Sequence, residues 1–139
     1  MLEHTISRID PIEAQNILIR DPDARLIDVR SKVEFDYVGH PIRALHVPWK
    51  EFPDWNENPN FVATVNAVLD GDGNAVKDGV LLMICRSGAR SLKAGEALLH
   101  AGYTCIYNVE EGFEGDKDEH HHRGNINGWR FRGLPWEQG

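Results

Sequence analysis

Val80-Leu81-Leu82-Met83-Ile84-Cys85-Arg86-Ser87-Gly88-Ala89-Arg90 is the stretch on which the reading of this chain turns. Five apolar residues run together with no polar alternation. Such a run suits a strand covered on both faces, as in a parallel sheet. The strand ends on a cysteine. A short loop follows, holding Arg86, Ser87, Gly88 and Arg90, and a helix opens at about Ala89. The N-terminus of that helix points back at the sulfur.

Composition narrows the class. At 139 residues the chain is long enough for a real core and is expected to be a single α/β domain over 1–139. A hydrophobic fraction of 41% and a charged fraction of 27% are ordinary for a globular protein, which argues against a disordered chain. No apolar run approaches a membrane span, so no membrane partner is expected. Met1-Leu2-Glu3-His4-Thr5 lacks the basic-then-apolar order of a secretory signal, and a cytoplasmic location is the default. The formal charge of −7 makes nucleic acid an unfavourable partner. Against that acidic background the pairs Arg86/Arg90 and Arg130/Arg132 suggest a local site for a small anion. Two cysteines, Cys85 and Cys105, are too few for a disulfide scaffold and lack zinc spacing.

Outward from the central stretch, strands and helices alternate. His4–Arg8 reads as a first strand. Asp10-Pro11-Ile12-Glu13 starts a helix that runs to about Arg20, with Asp10 as cap and Pro11 in the first turn. Arg25–Arg30 is a second strand, and Ser31-Lys32-Val33-Glu34 a capping box for a short helix. Ala44–Pro48 is a third strand. Phe61, Val65, Val68 and Leu69 fit one helical face. Asp70-Gly71-Asp72-Gly73-Asn74 reads as a turn, because it lacks the oxygen spacing of a calcium loop. The helix from about Ala89 to Ala101 carries Leu92, Gly95, Leu98 and Leu99 on one face, with Gly95 placed for close approach to a sheet. Cys105–Val109 is the last strand. Asn127 to Trp136, with its aromatic residues and proline, suggests a segment packed on the body. The alternation predicts a mainly parallel sheet with helices on both faces.

In open parallel sheets, ligands bind beyond the carboxyl ends of the strands, and Cys85 sits at such an end. The loop 86–90 can gather backbone N–H groups into an anion nest, and the following helix adds its positive end. Arg86 and Arg90 add full charges. Together these favour thiolate over thiol. Gly88 supplies the backbone freedom that a tight nest requires. Ser87 is placed either to donate to the sulfur or to cap the helix. A strand-ending cysteine can also be a small buried hydrophobe. Two arginines beside it have no packing rationale, so the reactive reading is preferred.

These residues carry a resemblance. Leu26–Arg30, Glu34-Phe35, Gly39-His40, Ala44–Pro48, the loop Cys85–Arg90, Ala101-Gly102-Tyr103, Glu111-Gly112-Phe113 and Gly133–Trp136 resemble, in order, the single-domain rhodanese-like sulfurtransferases. The resemblance implies a three-layer fold around a five-stranded mainly parallel sheet. It implies that Cys85 is the catalytic nucleophile, taking a sulfane sulfur as a persulfide and passing it on. Arg86, Ser87, Gly88, Ala89 and Arg90 would then bind substrate, without cofactor or metal. The expected partners are a small anionic sulfur donor such as thiosulfate and a thiophilic acceptor, which can be a protein. A related phosphatase group on this fold uses Cys-x5-Arg, and the tighter Cys-x4-Arg here favours sulfur over phosphoryl chemistry. The alternatives are a sulfur carrier that delivers persulfide only to a protein partner and, further off, a phosphatase or arsenate reductase. The chain departs from the family in Gly39-His40-Pro41-Ile42-Arg43-Ala44, in Phe113 after Gly112, and in the extra stretch Glu114–Asn127.

Asp28 and Arg30 are read as supporting residues. They would orient the loop through Arg90 or a backbone group, or Arg30 would pair with Glu34 nearby while Asp28 satisfies backbone donors. Glu34 itself reads as a cap. His40 and His46 read as satisfied polar groups, and Trp49, Phe52 and Trp55 as packing or as a substrate mouth. Cys105 reads as an inert core thiol. The run His120-His121-His122 fans in several directions and reads as solvated surface rather than metal ligands. Arg130 and Arg132 would either extend the anion field or pair with surface acids.

Overall fold

The computed structural model describes residues 5–70 and 77–139. His4 and the turn residues Gly71, Asp72, Gly73 and Asn74 lie outside them. Five strands form the central sheet: β1 (Ser7–Ile9), β2 (Arg25–Asp28), β4 (Leu45–His46), β7 (Val80–Ile84) and β8 (Cys105–Val109). Their order is β1-β8-β7-β2-β4, and every pairing is parallel. The predicted sheet is therefore present, although β2 and β4 are shorter than the apolar runs suggested. Val29 and Val47 continue those runs as single backbone hydrogen bonds to Ile84 and Asp28 rather than as ladder.

The helices divide between the two faces. Helix α1 (Pro11–Arg20) begins as expected: Asp10 accepts a hydrogen bond from the Glu13 amide at 2.8 Å, and Pro11 occupies the first turn. It covers one face with Ile9, Ala14, Leu26, Leu82, Ile84, Val109, Phe113 and Trp129. Helices α2 (Phe61–Leu69) and α3 (Ala89–His100) cover the other, with Ile27, Val29, Phe61, Val65, Leu81, Met83, Ala94, Leu98 and Ile106. The central strand β7 thus buries both its odd and its even side chains, which is why its sequence shows no alternation. Leu82, Met83 and Ile84 are each fully buried, worth roughly 1.5–3 kcal/mol apiece. A Cβ added to Gly95 would stand 3.0 Å from Ile6 and 3.2 Å from Ile106, the close approach expected of that helix.

Two small antiparallel pairs lie outside the sheet. β3 (His40–Pro41) pairs with β9 (Trp136–Glu137), and β5 (Lys50–Glu51) with β6 (Asn56–Glu57). Neither is predicted, because two residues per strand carry no readable period. The Ser31–Glu34 capping box exists, with the Ser31 amide 3.2 Å from the Glu34 carboxylate and the Glu34 amide 3.3 Å from Ser31 Oγ. The helix it opens widens into a π-helical turn (Glu34–Val38).

Candidate active site: a cysteine loop at the end of the central strand

Strand parity decides which side chains meet. Cys85 continues the odd-numbered face of β7 and joins the cluster of α2 and α3, with 1% of its surface exposed. Its Sγ accepts a hydrogen bond from the Gly88 amide at 3.1 Å and from Ser91 Oγ at 3.2 Å. Gly88, with φ +115°, stands immediately before α3 and turns the loop into the helix. The first turn of α3 leaves the amides of Ala89 and Arg90 without intrahelical acceptors. Ser87 is corrected here: its side chain neither reaches the sulfur nor caps α3, whose N-cap is Gly88 with no side-chain bond. Ser91, one turn further on, is the hydroxyl at the sulfur.

The two arginines of the loop are not equivalent. Arg86 is exposed and forms no ion pair among the described residues. Arg90 is clamped by Glu34 through two hydrogen bonds of 2.8 Å, and its guanidinium carbon lies 5.7 Å from the Trp55 ring. Burial works against both charges of the pair. The mutual hydrogen bonds and attraction outweigh it, raising the Arg90 pKa and holding that of Glu34 at about 2. Ser31 assists on the Glu34 side. Glu34 is therefore a partner of the loop as well as a cap. Its capping signature hid that role in the sequence.

Asp28 and Arg30 form no hydrogen bond with Arg90, and Arg30 does not pair with Glu34; these two pairings are corrected. Asp28 instead accepts the Arg30 amide at 3.1 Å, the backbone role expected of it, and acts on Arg90 only as a through-space attraction. Asp28 and Arg30 share the parity of Leu26 and project to the opposite face of the sheet from Cys85. There they form a fully buried ion pair of 2.7 Å, and Arg30 Nη2 also donates to the Gly39 carbonyl at 2.6 Å. The Arg30 guanidinium lies 4.6 Å from the Phe113 ring, and its Nη1 is buried without a hydrogen bond, 3.8 Å from the Glu114 carboxylate. Its effect on the loop is indirect. The Phe113 amide donates to the Cys85 carbonyl at 2.8 Å, and the Glu114 amide to that of Arg86 at 3.0 Å. A Cβ on Gly112 would come within 2.5 Å of the carbonyl oxygens of Cys85 and Arg86. The turn after β8 is thus the backrest of the cysteine loop.

Asn108 was not singled out in the sequence, yet it is fully buried on the Cys85 face. Its Oδ1 is 2.5 Å from Ser91 Oγ. The available signal was a polar residue of the right parity inside an apolar strand. Other readings resolve more simply. His40 bonds the Phe35 carbonyl (2.9 Å) and His46 that of Arg30 (2.7 Å), as satisfied polar groups. Trp49 packs edge-on to Phe61 in the core, while Phe52 and Trp55 stay exposed as an edge-on pair beside Arg90. Cys105 is half-buried at the opposite end of the sheet from Cys85. His120, His121 and His122 are exposed around Asp118, which accepts the amides of His120 and His122 at 2.9 Å each. No grouping fit to hold a metal ion occurs among the described residues. Arg132 is clamped by Glu111 at 2.7 and 2.8 Å, pairing with an acid, whereas Arg130 lies 5.5 Å from both the Phe113 and Trp136 rings and forms no ion pair among the described residues.

A parallel sheet wound on both faces, with a hydrogen-bonded thiol at the carboxyl end of its central strand, defines an α/β domain built around a cysteine loop. The family model described as rhodanese-like domain matches residues 10–119, and the chain belongs to that family. The crystal structure of Rv0390 from M. tuberculosis superposes with a TM-score of 0.82 at 37% identity, covering 97% of this chain and 99% of that one. Thiosulfate sulfurtransferase 16, chloroplastic, of Arabidopsis thaliana is 30% identical over 113 residues, 80% of this chain and 78% of its own length. The polysulfide-sulfur transferase homodimer of Wolinella succinogenes shares the fold at 21% identity and a TM-score of 0.63, covering 96% of this chain and 80% of that one. No helix among the described residues is long and apolar enough to cross a membrane.

Proposed function

We propose that this protein is a sulfurtransferase that carries sulfur on Cys85. The observation that carries the reading is the Sγ environment: two hydrogen-bond donors on the sulfur, at 3.1 and 3.2 Å, beside the open amides of a helix start. Family membership and the named sulfurtransferase relative support sulfur transfer in general. In the first half-reaction the Cys85 thiolate attacks the sulfane sulfur of an anionic donor. An S–S bond forms, and the donor remnant leaves with its electron pair, as sulfite if the donor is thiosulfate. In the second half a thiophilic acceptor attacks the outer sulfur, and the electron pair of the broken S–S bond returns to Sγ. No net oxidation occurs, and no dissociable cofactor is needed. The amides of Ala89 and Arg90 would hold the outer sulfur. Arg86 is the charge available to draw the donor in, since Arg90 is taken by Glu34.

Incubation with thiosulfate followed by intact mass measurement is expected to show one added sulfur. Cyanide should then remove it as thiocyanate, with ping-pong kinetics. Cys85→Ala should show neither event. A stable sulfur adduct that no small acceptor discharges would make the protein a carrier rather than an enzyme. No adduct from thiosulfate or polysulfide, together with hydrolysis of phosphate esters, would overturn the reading.

A further inference from the structure

Ser91 Oγ is fully buried and has one proton to give. Three acceptors surround it: Cys85 Sγ at 3.2 Å, the Gly88 carbonyl at 3.2 Å and Asn108 Oδ1 at 2.5 Å. The Gly88 carbonyl is also served by Asn108 Nδ2, at 3.1 Å. The same Nδ2 donates to the Glu110 carboxylate, which lies 3.7 Å from Arg8 on the edge strand β1. These bonds turn Asn108 so that its Oδ1, and not its amide nitrogen, faces the serine. Sγ, Asn108 Oδ1 and the Gly88 carbonyl therefore compete for a single hydroxyl proton, with Asn108 Oδ1 the nearest at 2.5 Å.

We propose that Ser91 is a further catalytic residue, whose hydroxyl swings from Asn108 Oδ1 to Cys85 Sγ as sulfur leaves, with Asn108 as its positioning residue. The inference rests on the persulfide reading above. In the loaded protein Sγ is bonded to a second sulfur, the negative charge sits on the outer atom, and Sγ is a poor acceptor. The hydroxyl then bonds Asn108. When an acceptor attacks the outer sulfur, the S–S bond breaks and its electron pair lands on Sγ. The hydroxyl turns to that sulfur and stabilises it as the leaving group. No proton is transferred. The same hydrogen bond makes the resting thiolate a calmer nucleophile, so its effects on the two half-reactions are opposite in sign.

Single-turnover measurements on the full chain separate the two halves: loading by thiosulfate or polysulfide, and discharge to cyanide, each followed by intact mass. Ser91→Ala is expected to slow discharge about tenfold to a hundredfold, the range for losing one hydrogen bond to a charged atom, while loading stays equal or quickens. Ser91→Thr keeps the donor and should discharge at close to the wild-type rate. Thermal melting of each variant reports whether the fold is retained. A merely structural role for Ser91 would slow both halves alike or lower the melting temperature without splitting them. Unchanged discharge in a folded Ser91→Ala, equal slowing of both halves, or a folded Ser91→Thr as slow as Ser91→Ala overturns the inference alone. A wild-type protein that takes up no sulfur from either donor overturns the persulfide reading and this inference with it.

Discussion

Two arginines of unequal exposure set the electrostatics of the loop. Arg86 is an exposed cation with no protein partner among the described residues, whereas Arg90 spends its charge on Glu34. Arg86→Ala is therefore expected to raise the KM for an anionic donor by up to about fivefold, since an exposed charge pair is worth at most about 1 kcal/mol. Steady-state kinetics at rising salt would check it, because the wild-type advantage should fade as the charge is screened. Glu34 makes a pH prediction. Its pKa is lowered from 4.5 to about 2, so its folded form binds a proton less readily than the unfolded chain. A depressed carboxyl stabilises fully above the unfolded value and loses that contribution as pH falls through the folded one. The wild type should exceed Glu34→Gln by on the order of 2 kcal/mol at neutral pH, after discounting for screening at the half-buried rim. The gap should close between pH 4.5 and about 2. Urea titrations across that range would measure it, and a gap that widens on acidification would contradict the assignment.

At the scale of elements, the loop is held from behind by the turn that follows β8. Glu111 adopts φ +74° and Gly112 φ +67°, both left-handed, and this sharp turn lays the chain against the carbonyls of Cys85 and Arg86. Gly112→Ala meets two penalties at once, an unfavourable backbone region and a 2.5 Å approach to backbone oxygen. It is expected to lower stability by on the order of 2 kcal/mol or more. Sulfur uptake by Cys85 should fall disproportionately, because the chain must shift at the loop itself. Chemical denaturation and the mass assay together would test this. Uptake that stays at the wild-type rate in the variant would refute the role of the turn as a backrest. The sheet elements around the loop were legible because each obeys a period. β7 is apolar throughout and α3 repeats its apolar face every three to four residues. The two-residue pairs β3–β9 and β5–β6 were not, since their strands form only where distant chain segments meet.

At the scale of the molecule, the tail completes the same face of the sheet that α1 covers, packing Trp129 into the cluster of Ala14, Leu82 and Phe113. Trp129 is 1% exposed, and its amide and Nε1 bond the Gly112 and Pro135 carbonyls at 2.8 and 2.9 Å. Trp129→Ala should cost about 3–5 kcal/mol of unfolding free energy, as for other large core aromatics. A loss below about 1 kcal/mol would mean that the tail adds little to the core.

The local sequence was enough for the alternation of strands and helices, the parallel sheet and the placing of Cys85 at a strand end. Each of these depends on spacing within a few residues or on the cap and turn chemistry of one segment. Strand parity was also present in the sequence: it puts Asn108 on the side of Ile106 and Asp28 on that of Leu26, while the register with β7 decides that the first side is shared with Cys85 and the second is not. Which charges pair lay beyond it. Glu34 and Arg90 are 56 residues apart, and Ser91 and Asn108 are 17 apart. Their contacts follow from strand order and helix placement, which no local period encodes. Thus the cysteine loop at the strand end was readable as a pattern. The division of the two arginines into one free and one clamped, and the choice of Ser91 over Ser87 as the hydroxyl at the sulfur, came from three-dimensional packing.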